Sequence, residues 1–575
     1  MRIRVALPVV LALVALTGGA QEPQQKPPEQ PPANAVGGLH FVDVTEVTVV
    51  EVDVAVSEKG RPVTGLTKAD FEVFQNGKLQ EITNFYAYQR RIVGAEPEVA
   101  PTPRAEDLVG TPEPVDVPPP PKPRFIVFYI DNENITPFNR NRVLTKVNDF
   151  VRENLREPDQ AMVASYQRSL KIVQPFTSDP QEIVDGLRGL RTYTGGRVEV
   201  NSSRREIEDF INTDSNQSNT SGDPYSQATD RAKSFAREQR NTLVFTIRAL
   251  QELVGMMTGL PGKKAIIYVS DGLPWTPGLE LFYEIQDVYR NTSSISDSRE
   301  FDSIELYRGL ITTASAADVT FYTIDARGLE AELGIEAENR TARSPLGAQI
   351  ARSNYQDSLS YMADQTGGLA ILNSNDVSIG LEKIAEDFET YYSLGYRLVP
   401  SGQDRMHRIE VKLKGDRKYT LKYRRFFTEK TLGNQIADRV ISGLTFQLPE
   451  NPLGIEATTG EPAPASGGRW TLPVDVRVPI ERLALIPDGD MLAGYVTVYY
   501  AARDTEGKQS DLQTKEHAIR IPQAEYEAAR TKYYTISASL LLESGRYRIS
   551  IGARDQLTNQ AGYATVSKAV HPDQT

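Results

Sequence analysis

Two short apolar runs, each stopping on an aspartate, constrain this chain more than anything else in it. The first, Phe125 to Ile130, runs into Asp131; the second, Ala265 to Val269, runs into Ser270, Asp271 and Gly272. A short, uninterrupted run of β-branched and aromatic residues reads as a parallel strand buried on both faces. In an open α/β sheet, ligands sit beyond the carboxyl ends of such strands, which is where both aspartates fall. Two carboxylates brought together there suit a hard divalent cation, which takes oxygen ligands. The pattern points to a binding surface more than to catalysis.

From Arg124 to about Tyr392, predicted strands at 125–130, 161–166, 170–174, 264–270, 319–324 and 368–372 alternate with predicted helices at 139–155, 180–190, 237–257, 300–315, 353–365 and 376–389. Such alternation is the mark of a doubly wound α/β domain, here spanning 124–392. A polar, Asn/Ser-rich stretch at 193–240 interrupts it and reads as an insertion with almost no core of its own, either a partly helical lid or a mobile loop. Residues 38–92 alternate valine with polar residues around Lys59-Gly60 and Asn76-Gly77 turns, which predicts a small antiparallel β-domain. Alternation returns at 393–430 and again across 431–575, the latter predicting a C-terminal β-sandwich. The two ends of a doubly wound unit can lie close together, so the strands of 393–430 are expected to complete the N-terminal β-domain. Residues 21–37 form a Pro/Gln-rich tether expected to be disordered, and 93–123 a Pro-rich linker.

With 575 residues the chain is too long for one core. Its net charge of −12, without any basic stripe, excludes a general nucleic-acid binder. Arg2 and Arg4, the apolar stretch Val5 to Leu16, and the small residues Gly18 and Ala20 read as a secretory signal peptide over 1–20. That stretch is too short to span a bilayer and no later one approaches the length, so the expected mature chain is exported, periplasmic or extracellular, without a transmembrane segment. Cysteine is absent, which removes disulfides and thiol chemistry. The histidines are His40, His407, His517 and His571, none of them within 124–392, so neither a serine–histidine pair nor a zinc site is available there. The chain reads as not an enzyme.

The order strand, Asp131, helix, long middle, strand, Ser270-Asp271-Gly272 resembles the von Willebrand factor type A (VWFA) domain, as do PFTSDPQEIVDGLRGL, DVTFYTIDARG and MADQTGGLAILN. With VSEKGRPVTGLTKADFEVFQNGKLQEITNF upstream and YYSLGYRL downstream, residues 38–427 are similar to secreted VWFA-related proteins of the acidobacterial type. The resemblance implies a Rossmann-like domain flanked by antiparallel β-sandwich domains, hence α/β plus all-β. It also implies protein binding or adhesion through a metal-ion-dependent adhesion site, where a bound Mg2+ or Ca2+ takes an acidic side chain of a protein partner. Asp131, Glu133 and Asp271, with Thr194 as a further candidate, are the ligands it implies. The family's Asp-x-Ser-x-Ser appears here in degenerate form: Glu133 stands for the first serine and Ile135 for the second, and Ile135 cannot ligate. Two alternatives stand beside this reading, a metal-free structural scaffold of the cell envelope and a Mg-dependent phosphohydrolase with Asp131 as nucleophile. The blandest roles are a helix cap for Asp131 and a turn for Asp271-Gly272.

Overall fold

The computed structural model describes residues 48–89, 123–214, 223–329, 345–415, 418–448 and 450–570. The expected signal peptide, the tether and all of the Pro-rich linker but Pro123 lie outside the described residues.

The chain opens with β1 (Thr48–Glu58), β2 (Arg61–Pro62), β3 (Phe71–Gln75), β4 (Lys78–Gln80) and β5 (Ile82–Tyr88). Val50, Val52, Val54 and Val56 all turn inward from β1, as a period of two requires. Gly60 and Gly77 hold positive φ in the β1–β2 and β3–β4 turns, a conformation that costs a residue without Cβ little.

The central unit follows: β6 (Arg124–Asp131), α1 (Pro137–Asn154), β7 (Gln160–Gln167), β8 (Ser169–Thr177), α2 (Pro180–Gly189), α3 (Arg197–Asp214), α4 (Pro224–Met257), β9 (Lys263–Ser270), α5 (Leu279–Tyr289), α6 (Ser293–Ser298), α7 (Ile304–Ala317), β10 (Val319–Asp325), α8 (Pro345–Thr366), β11 (Ala370–Ile371) and α9 (Ser378–Glu389). Its six-stranded sheet runs β11-β10-β9-β6-β7-β8, parallel except for the antiparallel edge strand β8. Numbered from β6, this is the doubly wound order 3-2-1-4-5-6, whose topological switch point falls between β6 and β9. Phe125, Val127 and Tyr129 pack under α4, α7 and α8, while Ile126, Phe128 and Ile130 pack under α1, α2 and α9. Burial on both faces is why β6 shows no polar alternation.

The stretch read as nearly core-free, a partly helical lid or a mobile loop, is largely helical where it is described and has a core of its own. α3 and the first half of α4 share a core with α5 and α6, in which Ile207 and Ile211 meet Ala228, Ala232, Ala236, Phe282 and Phe301. Ile207 and Ile211 lie one helical turn apart, and the alanines recur every fourth residue. A sparse stripe of that kind is diluted by polar neighbours in sequence.

Next come β12 (Tyr391–Leu398), β13 (Arg405–Leu413), β14 (Thr420–Lys422) and β15 (Phe426–Glu429). β12 lies between β1, with Val54 opposite Tyr392, and β5, with Tyr88 opposite Tyr391. β13 pairs with β3, Val73 opposite Val411. The resulting sheets, β14-β1-β12-β5 with β2 beside β1, and β15-β13-β3-β4, enclose Val52, Val54, Phe71, Leu394 and Val411. The chain therefore leaves this β-domain after β5, builds the central unit, and re-enters beside the strand it left.

α10 (Leu432–Gly443), which the strand reading of 431–575 did not foresee, sets Ile436 and Val440 against Tyr499 and Tyr563. Its Ser442 hydroxyl accepts the Gly259 N–H at 2.8 Å, joining the last domain to the central unit. The remaining strands are β16 (Glu456–Thr459), β17 (Ala463–Pro464), β18 (Trp470–Pro479), β19 (Ile486–Asp488), β20 (Met491–Asp504), β21 (Gln513–Pro522), β22 (Tyr533–Leu542), β23 (Gly545–Asp555) and β24 (Ala561–Val570). In one sheet β18 pairs with β16, β17 and β22; in the other the order is β19-β20-β23-β24, with β21 also on β20. Leu472, Val474, Val476 and Val478 of β18 face Val496, Val498, Ile549 and Ile551 across the core.

Candidate functional site

The carboxyl ends of β6 and β9 bring Asp131 and Asp271 to the switch point, and both carboxyls are buried there. Period two places Asp131 on the same face as Tyr129, and Tyr129 lies in register with Tyr268 of β9. The Tyr268 hydroxyl accordingly donates to Asp131 Oδ2. Asn134 donates its backbone N–H to Asp131 Oδ1 at 3.1 Å and its side-chain amide to both oxygens, at 3.2 and 3.0 Å. Burial pushes the Asp131 carboxyl up to about 6 even though these hydrogen bonds favour its charged form.

Asp271 closes on a different set of donors. Its Oδ2 accepts the Thr136 N–H and its Oδ1 the Asn139 side-chain amide, both at 2.9 Å. Thr136 precedes Pro137 at the first position of α1, so it is Asp271, from another strand, that satisfies the start of this helix. Burial also raises Asp271 to about 6, with the positive charge of Arg197 the main opposing influence. Asn134 ties the two loops together, because its carbonyl accepts the Asp271 N–H at 2.9 Å and the Ser270 hydroxyl at 3.2 Å.

The remaining expected ligands are placed otherwise. Glu133 is partly buried beneath the turn leading into α3, where a Cβ on Gly196 would stand 3.2 Å from Glu133 Oε1. A Cβ on Gly195 would stand 2.1 Å from the Ile135 carbonyl, and the Gly196 N–H donates to the Asn132 carbonyl at 3.0 Å. The glycine pair thus lets the turn lie directly on the β6–α1 loop. Thr194 is exposed, and its carbonyl accepts the Gln167 amide at 2.8 Å. Ile135 is fully buried in the apolar cluster that holds Val143 and Leu144. Arg197, 6% exposed, holds its guanidinium 4.2 Å from the centre of the Tyr355 ring. Arg140, fully buried, donates to Asn132 Oδ1 at 3.0 Å and to the Arg191 carbonyl at 2.9 Å.

These residues do not fit a divalent cation. Both aspartates commit their oxygens to protein donors, the second serine position is apolar, and an arginine already supplies positive charge beside Asp271. Among the described residues, no three His, Cys, Asp or Glu side chains gather to hold a metal. Reading the two strand ends alone overlooked Asn134, Asn139, Tyr268 and Arg197. Tyr268 was within reach of the strand period; Asn139 and Arg197 act across the fold and left no local signal.

Near this closed centre three large apolar side chains are exposed. Phe138, in the first turn of α1, is 77% exposed, and Leu329 and Ile379 are 59% and 63% exposed. Arg142, one turn beyond Phe138, donates to Asn375 Oδ1 at 3.0 Å, and the Leu329 N–H donates to the same oxygen at 3.0 Å. Lys146, one turn further, pairs with Asp376 at 3.6 Å, beside the start of α9 that carries Ile379. The polar side chains of Arg142, Asn375, Lys146 and Asp376 thus stand among the three exposed apolar ones.

No protein-family model matches the sequence, and no curated protein matches it. Among solved structures, the vWF domain of the type V pili tip protein Mfa5 from Porphyromonas gingivalis is similar over 46% of this chain and 95% of its own, at 12% identity and a TM-score of 0.23. An aerotolerance-related membrane protein from Bacteroides fragilis is similar over 46% and 98%, at 11% identity and a TM-score of 0.22. The manganese-loaded TRAP protein of Plasmodium vivax is similar over 53% and 92%, at 10% identity and a TM-score of 0.20. At these values the likenesses carry no argument about site or partner, and the doubly wound fold rests on the strand order above.

Proposed function

We propose that the chain is an exported, non-enzymatic protein-binding module, related to von Willebrand factor A domains, that grips its partner through the apolar rim of the central sheet and without a bridging metal. The observation that carries this reading is Phe138, a large aromatic side chain left 77% exposed at the edge where doubly wound folds bind ligands. Exposed apolar residues gathered in one patch mark an interaction site far more often than scattered ones do. The internal hydrogen bonding of Asp131 and Asp271 speaks against both a metal-held carboxylate and a phosphohydrolase, since Asp131 has no oxygen left unengaged for attack.

The test is a photo-cross-linking amino acid placed at 138, at 379 and, as a control, at 245 on α4 (where Phe245 is 58% exposed), in cells that make the protein. The same discrete protein adduct from 138 and 379, absent from 245 and indifferent to chelator, is expected. A chelator-sensitive adduct, or saturable Mg2+, Mn2+ or Ca2+ binding that disappears in Asp131→Ala and Asp271→Ala, would sink the metal-free reading. Turnover of p-nitrophenyl phosphate abolished by Asp131→Asn would sink the non-enzymatic one.

A further inference from the structure

A strand at the edge of a sheet presents unpaired N–H and C=O groups that template pairing with another chain, and proteins guard such edges with charges, prolines, bulges or brevity. Most edges of this molecule are guarded. β8 carries Lys171 and Pro175 and slips register twice against β7. β5 bears an irregularity where its partner runs from Gly395 to Tyr396. β21 carries Lys515, Glu516, Arg520 and Pro522, and β24 carries Lys568. β4, β11, β16 and β17 have four residues or fewer.

β22 has none of these devices. Its sequence YYTISASLLL holds ten residues without a charge or a proline, and it pairs with β18 over all ten without a register shift. No other described strand pairs with it. The composition, uncharged, free of proline and glycine, and opening with two tyrosines, a threonine and an isoleucine, is that of a segment disposed to add strands.

We infer that β22 is an interface at which two copies of this chain pair edge to edge, antiparallel, about a two-fold axis at Ser537. The sequence is self-complementary in that register. Side chains keep their faces only when odd positions meet odd and even meet even. Centring on Ser537 satisfies this, setting Tyr533 against Leu541 and Thr535 against Ser539 on the outer face. On the inner face Tyr534 meets Leu540 and Ile536 meets Ala538, which continues the sandwich core from one copy into the next. The charges flanking the strand agree as well. Lys532 precedes it and Glu543 follows it, both exposed, so the antiparallel arrangement brings each lysine beside the other copy's glutamate, which pairs with Lys508 of its own chain at 3.0 Å. A parallel arrangement would stack like charges. An edge-to-edge two-fold uses one patch on both subunits, the commonest way a homodimer closes.

Sedimentation velocity of the full chain at micromolar concentration tests the inference. The expected result is twice the mass of one chain for the native sequence. For the double variant Ser537→Lys, Ser539→Lys, which sets the lysine at position 537 against its own symmetry mate with the one at position 539 diagonal to it, a single chain with unchanged far-ultraviolet circular dichroism is expected. A monomeric native protein overturns the proposal, and so does a folded double-lysine variant that stays dimeric. Should that variant fail to fold, the absence of cysteine from the chain gives a second measurement. Under mild oxidation Ser537→Cys is expected to cross-link two chains, whereas Ser567→Cys on β24 is not. No cross-link from position 537, or equal cross-linking from both positions, overturns the proposal.

Discussion

At the carboxyl edge of β6 and β9, every oxygen of two buried aspartates accepts a hydrogen bond from within the chain; along β22, the outward backbone groups meet no described strand. The two regions differ in what a sequence can satisfy by itself. A carboxylate is matched by single well-placed donors such as Asn134, Asn139 or Tyr268, and three residue choices suffice to close it. The edge of a strand can be matched only by another strand or by something that forbids one. The first region turns its carboxylates to donors of its own chain and leaves large apolar side chains such as Phe138 exposed near them. The second stays open along its whole length.

The largest expected effect bears on the closed region. Asp131 has a folded pKa of about 6, raised by burial above its ordinary 3.8. A group raised in this way contributes stability that is full below about pH 4 and is lost as pH climbs through 6. Asp131→Asn keeps the shape and removes the charge. Denaturant unfolding should show the variant more stable than the native protein near neutral pH, by up to about 3 kcal/mol, with the difference shrinking toward pH 4. Asp271→Asn should behave the same way to the extent that Arg197 does not miss its charge. An asparagine variant weaker than the native protein at neutral pH would mean that the donors of Asn134 and Tyr268 favour the charged carboxylate by more than burial disfavours it.

A smaller effect tests the turn that lies on the loop. Gly195→Ala places a methyl group 2.1 Å from the Ile135 carbonyl, too close without displacement. Overpacking of this kind costs about 1–3 kcal/mol. Unfolding midpoints compared with those of Gly189→Ala, where a Cβ meets nothing within 4 Å, would show it. Equal midpoints would mean that the turn does not bear on the β6–α1 loop. Phe138→Ala should change stability least, within about 0.5 kcal/mol, because the ring is mostly in solvent. A large loss would show that Phe138 holds the fold together and is no contact residue.

The strands that position the site were legible because burial on both faces writes itself as a local run: 125–130 falls within β6 and 264–270 within β9. Helix α4 was read only from 237, thirteen residues late, because its first turns pack through alanines that do not stand out from a polar stretch. α5 and α6 were missed for a related reason: their core partners come from α3 and α4, so their apolar residues answer to a distant surface. At the site, Asp131 and Asp271 could be found from strand ends, whereas Asn139 and Arg197 engage Asp271 from more than 70 positions away. Local periodicity carries no information about contacts closed by topology.

The pairing of β12 between β1 and β5 has a mechanical consequence. The central unit hangs from the β-domain like a bead on a closed loop, with its two ends anchored on neighbouring strands. Tension entering at Thr48 and leaving at Glu429 passes first through the ladder of β1 on β12, residues 48–54 against 392–398. Because Thr48 and Leu398, the two ends that take the load, face each other, this ladder would open from that end one pair at a time. Until that ladder gives way, the doubly wound sheet stays off the direct covalent line of pull, so the edge that carries Asp131 and Phe138 keeps its shape while the chain that bears it is stretched.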